Sequence, residues 1–173
     1  MQLSDHNLHI RNWHKQDQTQ LVAAANNPKL AATLRDRFPQ PYTLDHAIQF
    51  LEFCGQQHDP THFAILNDTS VIGGIGLELG TDVERFNAEL GYWLAEPFWG
   101  QGLMTRVIAL FVPWAAQHFQ LHRIFALPMA HNLGSIRCLE KNGFVQEGRL
   151  RESCFKNGHW YDQFLYSRLF HQV

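Results

Sequence analysis

Hydrophobic and polar residues alternate along Leu8-His-Ile-Arg-Asn-Trp13, the period-two rhythm of a half-buried strand. From residue 17 the rhythm becomes helical, over 17–25 and then 28–35, with Pro28 at the first helical position, where its missing N–H costs nothing. Phe38-Pro-Gln-Pro-Tyr42 predicts a rigid loop, because each proline fixes its own φ and restrains its predecessor. Thr43 or Asp45 suits the cap of a further helix to about residue 55. Residues 62–67 and 71–79 predict strands flanking the turn residues Asn67-Asp-Thr-Ser70, and 87–95 predicts another strand, ended by Pro97. Over 102–118, Leu103, Val107, Leu110, Phe111 and Trp114 recur at helical spacing, with Pro113 expected to kink that helix or loosen its last turn. A short strand over 123–128 precedes a helix over 132–142, capped by Asn132 and ended by a left-handed Gly143. Two last strands meet at Asn157-Gly158, a type I′ hairpin signal. Strands and helices in this order predict a mixed sheet with helices on both faces.

Composition narrows the function classes. With 173 residues the chain fits one domain, expected to span 1–173, large enough to need no disulfide or metal staple. A net charge of -2 gives no electrostatic case for nucleic acid. Cys54, Cys138 and Cys154 show no paired spacing and read as free thiols. The first residues lack a basic and then apolar leader, and the longest apolar stretch, near residues 108–116, is too short for a membrane span. A cytoplasmic protein without membrane or nucleic-acid partners is expected.

The segment Glu96-Pro-Phe-Trp-Gly-Gln-Gly-Leu-Met-Thr105 carries the most chemistry. A strand ends, glycines follow, and an amphipathic helix begins. The first N–H groups of such a helix have no intrahelical partner, and with the helix dipole they attract phosphate. Gly100 and Gly102 would let a pyrophosphate approach the backbone. Glycines before a helix also make plain tight turns, and this segment by itself fits both readings. It matches neither G-x-G-x-x-G nor G-x-x-x-x-G-K-[ST]. Gly73-Gly74-Ile-Gly76 lies inside a strand pattern, where close backbone approach or a bulge accounts for it.

A second segment follows about thirty residues on, Asn132-Leu-Gly-Ser-Ile-Arg-Cys-Leu-Glu-Lys-Asn-Gly-Phe144. Together the two resemble the GNAT acetyltransferases, in particular the RimJ/RimL-like branch of N-terminal and polyamine acetyltransferases. Trp99–Thr105 looks like that branch's pyrophosphate loop, and Asn132, Ser135 and the run to Phe144 look like its second acetyl-CoA segment. Gly91-Tyr-Trp-Leu94, the stretch from Asn157-Gly158 to Asp162, and the acceptor-side loop Phe38-Pro-Gln-Pro-Tyr-Thr43 extend the resemblance over nearly the whole chain.

The resemblance implies a GNAT fold of mixed α/β (α+β) class, a central, mostly antiparallel twisted sheet of about six to seven strands flanked by helices. It implies acetyl-CoA as co-substrate, bound by Leu94, Ala95, Trp99, Gly100, Gln101, Gly102, Leu103, Met104, Thr105, Asn132 and Ser135. Phe38, Tyr42 and Trp93 would face the acceptor, a peptide or small-molecule primary amine. Glu89, on the strand before the loop, stands where the resemblance places a general base, and it also reads as an exposed strand residue. Two places depart from the general family pattern, Trp99 and Met104, both at the ends of the loop. A third is Leu139, which occupies the position of the tyrosine general acid of many GNAT enzymes and cannot protonate anything. Ser135 or water would then protonate the departing thiolate.

Direct transfer in a ternary complex, without an acetyl-enzyme, follows from the same resemblance. Two other readings stay open: a small-molecule amine (polyamine or antibiotic) as acceptor, and a non-catalytic acyl-CoA-binding sensor. A monomer or homodimer is expected. Among eleven histidines, His118-x-x-x-His122 has helical i, i+4 spacing but straddles the end of one helix and the next strand, and no H-E-x-x-H or paired cysteines accompany it, so no metal is expected.

Overall fold

The computed structural model describes residues 1–170. Its strands are β1 (Gln2–Asp5), β2 (Leu8–Asn12), β3 (His62–Asn67), β4 (Ser70–Leu79), β5 (Asn87–Leu94), β6 (Arg123–Ala126), β7 (Val145–Lys156) and β8 (His159–Leu169). Its helices are α1 (Gln18–Ala25), α2 (Pro28–Ala31), α3 (Leu44–Gln56), α4 (Leu103–His118) and α5 (Leu133–Lys141). The strands form a mixed sheet in the order β1-β2-β3-β4-β5-β6-β8-β7. β5 and β6 pair parallel, while β1–β2, β2–β3, β3–β4, β6–β8 and β7–β8 pair antiparallel. The expected fold therefore holds, with eight strands instead of six or seven. The added strand is β1, a short polar hairpin partner of β2 turned by His6 at φ 53. Its half-exposed residues carry no apolar alternation for a sequence pattern to show.

The chain is organised in two compact units, residues 1–76 with 92–103, and residues 77–91 with 104–173. β4 and β5 each run from one unit into the other.

In the first unit α1 and α3 bury Leu21, Ala25, Ala47 and Leu51 with Trp13, Ala64 and Leu66. Thr43, not Asp45, caps α3: its hydroxyl accepts from the His46 amide, and its own amide donates to His46 Nδ1. α1 begins one residue later than expected, since Asp17 closes a 3-10 turn. The Asp17 carboxylate accepts two bonds from the Arg11 guanidinium, at 2.7 and 2.8 Å, and one from the His14 amide at 2.8 Å. α2 stops at Ala31, short of the expected residue 35. There Thr33 and Leu34 bond three residues back and the Thr33 hydroxyl takes the Leu30 carbonyl, a local competitor of the helix ladder.

The glycine run on β4 sits where the backbone has no room. A Cβ on Gly73 would lie 2.3 Å from the Trp93 carbonyl oxygen, and one on Gly74 would lie 2.8 Å from the Trp93 indole nitrogen. A bulge interrupts β3–β4 beside it, between Ile65 and Leu66.

In the second unit α4 runs through the exposed Pro113 to His118 and buries Val107, Ile108, Phe111 and Val112. Ile124 and Leu139 are fully buried alongside that core. β7 and β8 form a long hairpin, turned at Asn157 (φ 49) and Gly158 (φ 80) as the Asn-Gly pair predicts. Among the described residues no helix is long and apolar enough to cross a membrane.

Candidate active site

β5 ends at Leu94, and a 3-10 turn over Glu96–Phe98 starts the loop, with Pro97 among its first positions. Three bonds fasten the turn. The Ala95 amide donates to Ile72 O (2.8 Å), the Phe98 amide to Ala95 O (3.0 Å), and the Trp99 amide to Glu96 O (3.0 Å). Side chains then close the loop on itself: Trp99 Nε1 donates to Leu94 O at 2.6 Å, and Gln101 Nε2 to Pro97 O at 2.8 Å. Gly100 and Gly102 take φ of 73 and 74, the left-handed region that an L side chain rarely enters. A Cβ at either would meet nothing within 4 Å of the protein, so conformation, not crowding by the protein, is what demands glycine here. Trp99, Gly100, Gln101 and Gly102 are exposed, whereas Leu103 and Met104 are buried as α4 begins. An exposed left-handed turn thus opens onto the N–H end of a 16-residue helix. That is an anion-binding geometry, and it fits a pyrophosphate.

The strand-end groups at Leu94 and Ala95 are less available than the sequence suggests. Leu94 O, Ala95 N and Ala95 O each already have a partner inside the loop or on β4. A pantetheine chain would share these carbonyls, using their second lone pairs.

The three residues expected on the acceptor side, all in the same unit, are in ring contact. Phe38 lies 5.1 Å from Tyr42 and 5.5 Å from Trp93, centroid to centroid. Phe38 and Trp93 are half-buried, but Tyr42 belongs to the core, and burial, then the nearby Cys54, pushes its pKa up to about 12. Tyr42 thus supports the wall more than it faces solvent. Its amide donates to Asn26 Oδ1 at 3.1 Å, just after the cis Gln40–Pro41 bond.

In the second unit, Glu89 is half-buried on β5, on the opposite face from the buried Ala88 and Leu90, with Phe125 of β6 as its register partner. Asn132 caps α5, its Oδ1 accepting the Ser135 amide at 3.2 Å, and Ser135 is half-buried one turn in. Thr105 Oγ1 contacts Cys138 Sγ at 3.5 Å. Leu139 has no exposed surface. Cys54, with its pKa raised by burial to about 12, and Cys154, raised by burial and then by Asp162, are poor nucleophiles.

Two features carry no signal in the local pattern. Asn142 is buried, and its Nδ2 donates both to Thr105 O (3.1 Å) and to Cys138 O (2.8 Å), tying the first turn of α4 to α5. Glu96 joins residues 67 and 69 positions earlier in the chain, Lys29 and Asn27. Distance along the chain hides such a pair. Asn142 is hidden by its type, since an asparagine before a helix-ending glycine reads as ordinary turn chemistry.

The family model of the acetyltransferase (GNAT) domain matches residues 7–145. The chain belongs to the GNAT acetyltransferase family. It is 38% identical over 109 residues to the probable N-acetyltransferase YjcK of Bacillus subtilis, covering 62% of this chain and 60% of that protein. It is 32% identical over 109 residues to the ribosomal-protein-serine acetyltransferase of Escherichia coli, covering 62% of this chain and 59% of that protein. The matched stretch is therefore less than two thirds of the length of either relative. Among solved structures, the RimL ribosomal L7/L12 α-N-protein acetyltransferase in complex with coenzyme A superposes with a TM-score of 0.87 over 98% of both chains, at 18% identity. That likeness shows the fold. Relatives named as ribosomal-protein acetyltransferases agree with the RimJ/RimL-like branch, as the resemblance implied, and the family's class is the acyl-CoA-dependent N-acetyltransferases.

Proposed function

We propose that this GNAT protein, a single N-acetyltransferase domain over residues 1–173, moves the acetyl group of acetyl-CoA onto the N-terminal α-amine of a protein or peptide. The observation that carries the reading is the exposed left-handed turn at Gly100 and Gly102, heading the 16-residue α4. In this reading the amides of the loop from Trp99 to Leu103 receive the pyrophosphate, and backbone groups at Leu94 and Ala95 meet the pantetheine arm. The amine arrives as ammonium and gives a proton to Glu89, directly or through a water. Its lone pair attacks the thioester carbonyl, the C–N bond forms, and the C–S bond breaks. As the C–S bond breaks the nitrogen gives up its remaining excess proton, which passes through Ser135 or water to the departing thiolate.

The α-amine is favoured on two grounds. The E. coli relative is named for acetylating a ribosomal-protein serine. An α-amine has a pKa of about 7.7–8.0 against about 10.4 for lysine, so far more of it is neutral near pH 7. Phe38 and Trp93 would wall the path of the incoming residue. A cytoplasmic monomer or homodimer suits this role.

A panel of short peptides with free or blocked N-termini, beside spermidine and an aminoglycoside, tests the acceptor by thiol release. Faster acetylation of spermidine or the aminoglycoside than of every free-N-terminus peptide would reject the acceptor and keep the enzyme class. Gly102→Leu tests the cofactor site: coenzyme A affinity by calorimetry should fall at least about tenfold in a folded variant. Unchanged affinity removes the loop from the site. Tight coenzyme A binding with no turnover on any amine would make the protein a sensor.

A further inference from the structure

The loop that would hold the phosphates is rooted by a carboxylate with a dedicated partner on each oxygen. Glu96 opens the 3-10 turn after β5. Asn27 Nδ2 donates to its Oε2 at 2.7 Å, and Lys29 Nζ donates to its Oε1 at 2.5 Å. Asn27 is itself committed at both ends, since its Oδ1 accepts the Lys29 amide at 2.8 Å and caps α2. α2 in turn is anchored by the buried Leu30 and Ala31. The three side chains thus tie the root of the loop to a fixed element of the same unit. Lys29, then Asn27, holds the Glu96 carboxyl below the usual carboxylate range, so Glu96 carries its negative charge at neutral pH.

We propose that Glu96, neutralised by Lys29 and hydrogen-bonded by Asn27, is a positioning residue for the phosphate loop and a selector for phosphate-bearing acyl donors. The inference rests on the acetyl-CoA reading above. Its physics has two parts. The hydrogen bonds fix where the turn over Glu96–Phe98 leaves β5, and so where Gly100 and Gly102 point. The Lys29 ammonium cancels a carboxylate that stands only four residues before Gly100, where an uncompensated negative charge would repel an incoming pyrophosphate. The Lys29 side chain is 70% exposed, so the pair adds little to stability in itself; its consequence is the charge it removes.

The test compares two thioester donors, acetyl-CoA and S-acetyl-pantetheine, which has no phosphate. Lys29→Met should raise KM for acetyl-CoA about three- to fivefold with kcat preserved, and leave kcat/KM for S-acetyl-pantetheine within about twofold of the wild type. In Lys29→Met/Glu96→Gln the stranded charge is gone while the Asn27 bond is kept, so KM for acetyl-CoA should return toward the wild-type value. Asn27→Ser keeps a capping oxygen for α2, loses the bond to Glu96, and should raise KM for acetyl-CoA alone. Equal losses on both donors would mean that the cluster serves folding only and would overturn the proposal. A double variant worse than Lys29→Met, or no change in any variant while wild-type protein turns over acetyl-CoA, would also overturn it. Should the wild type itself neither bind coenzyme A by calorimetry nor use acetyl-CoA, the functional reading fails and this inference falls with it.

Discussion

Trp99 Nε1 donates a 2.6 Å hydrogen bond to the backbone carbonyl of Leu94, so the first residue of the glycine loop holds the last residue of β5. The general family pattern places a glutamine or arginine where Trp99 stands, and an indole replaces a flexible polar chain with one rigid donor. The bond closes a short ring, Leu94 to Trp99, within which the 3-10 turn over Glu96–Phe98 is trapped. The exposed residues Gly100 and Gln101 thereby leave from a fixed base.

Trp99→Phe keeps the ring and removes the donor. One neutral hydrogen bond contributes about 0.5–1.5 kcal/mol, so acetyl-CoA should bind about two- to tenfold more weakly, with Tm nearly unchanged because Trp99 is 41% exposed. Calorimetry with coenzyme A is the measurement. Wild-type affinity in the variant would show that the indole bond has no part in shaping the loop.

Glu89→Gln addresses the proton step. General acid–base catalysis contributes about 10²–10⁴-fold, and turnover should fall by that order while Kd for acetyl-CoA barely moves. A loss below about threefold assigns the base to water or another residue. Ser135→Ala should cost less, because a thiolate leaves readily without full protonation.

The Arg11–Asp17 pair predicts a pH-dependent stability. Burial raises the Asp17 pKa, but the Arg11 guanidinium and the His14 amide outweigh it and leave the carboxyl below its ordinary value. With the folded pKa depressed, the stabilisation is complete above the unfolded value of about 3.9 and is lost as pH falls through the folded one. The Asp17 side chain is only 5% exposed. Hydrogen bonds to a charged group contribute about 1.5–3 kcal/mol, so Asp17→Asn should lower Tm at pH 7 by about 3–10 °C. The gap to the wild type should close as pH drops below about 3.9, followed by thermal unfolding across pH 2–7. A gap that stays constant with pH would mean that packing, not charge, underlies the effect.

Local chemistry was legible wherever one residue type answers one backbone demand. Thr43 and Asn132 cap the helices they precede, Gly143 takes φ 75 after α5, and Asn157-Gly158 turns the last hairpin. Each cue acts within about four residues, so the sequence carries it whole. β1 was not legible, because a short polar edge strand lacks the alternation that burial imposes. Neither was the early end of α2, decided by the Thr33 hydroxyl and not by periodicity. In the candidate site, Gly100 and Gly102 were readable as glycines, and the structure adds a conformational reason to the one expected from the sequence. The protein leaves their Cβ positions open, and φ is what excludes other residues. Glu96 and Lys29 act through partners far along the chain, where no spacing rule reaches, and Asn142 before Gly143 reads as ordinary turn chemistry.

The proposed acceptor wall yields the last prediction. Phe38 contacts both Tyr42 and Trp93, yet only Tyr42 of the three is a core residue. Tyr42 and Trp93 are also held from behind, Tyr42 through its amide by Asn26 Oδ1 and Trp93 by the glycines of β4 that leave room for its indole. Phe38 is therefore the member of the wall with the most freedom to meet an acceptor. Phe38→Ala should raise the acceptor KM about tenfold or more, the equivalent of losing one well-packed aromatic contact, and leave Kd for acetyl-CoA within about twofold. Truncation of a half-buried ring should also lower Tm, so Phe38→Leu serves as the control: it refills the space against Trp93 and should recover Tm before it recovers acceptor KM. Steady-state kinetics with a free-N-terminus peptide, read beside thermal unfolding, separates the two effects. If Phe38→Leu restores both to the same degree, Phe38 is packing for Trp93 and Tyr42, and the acceptor path lies elsewhere.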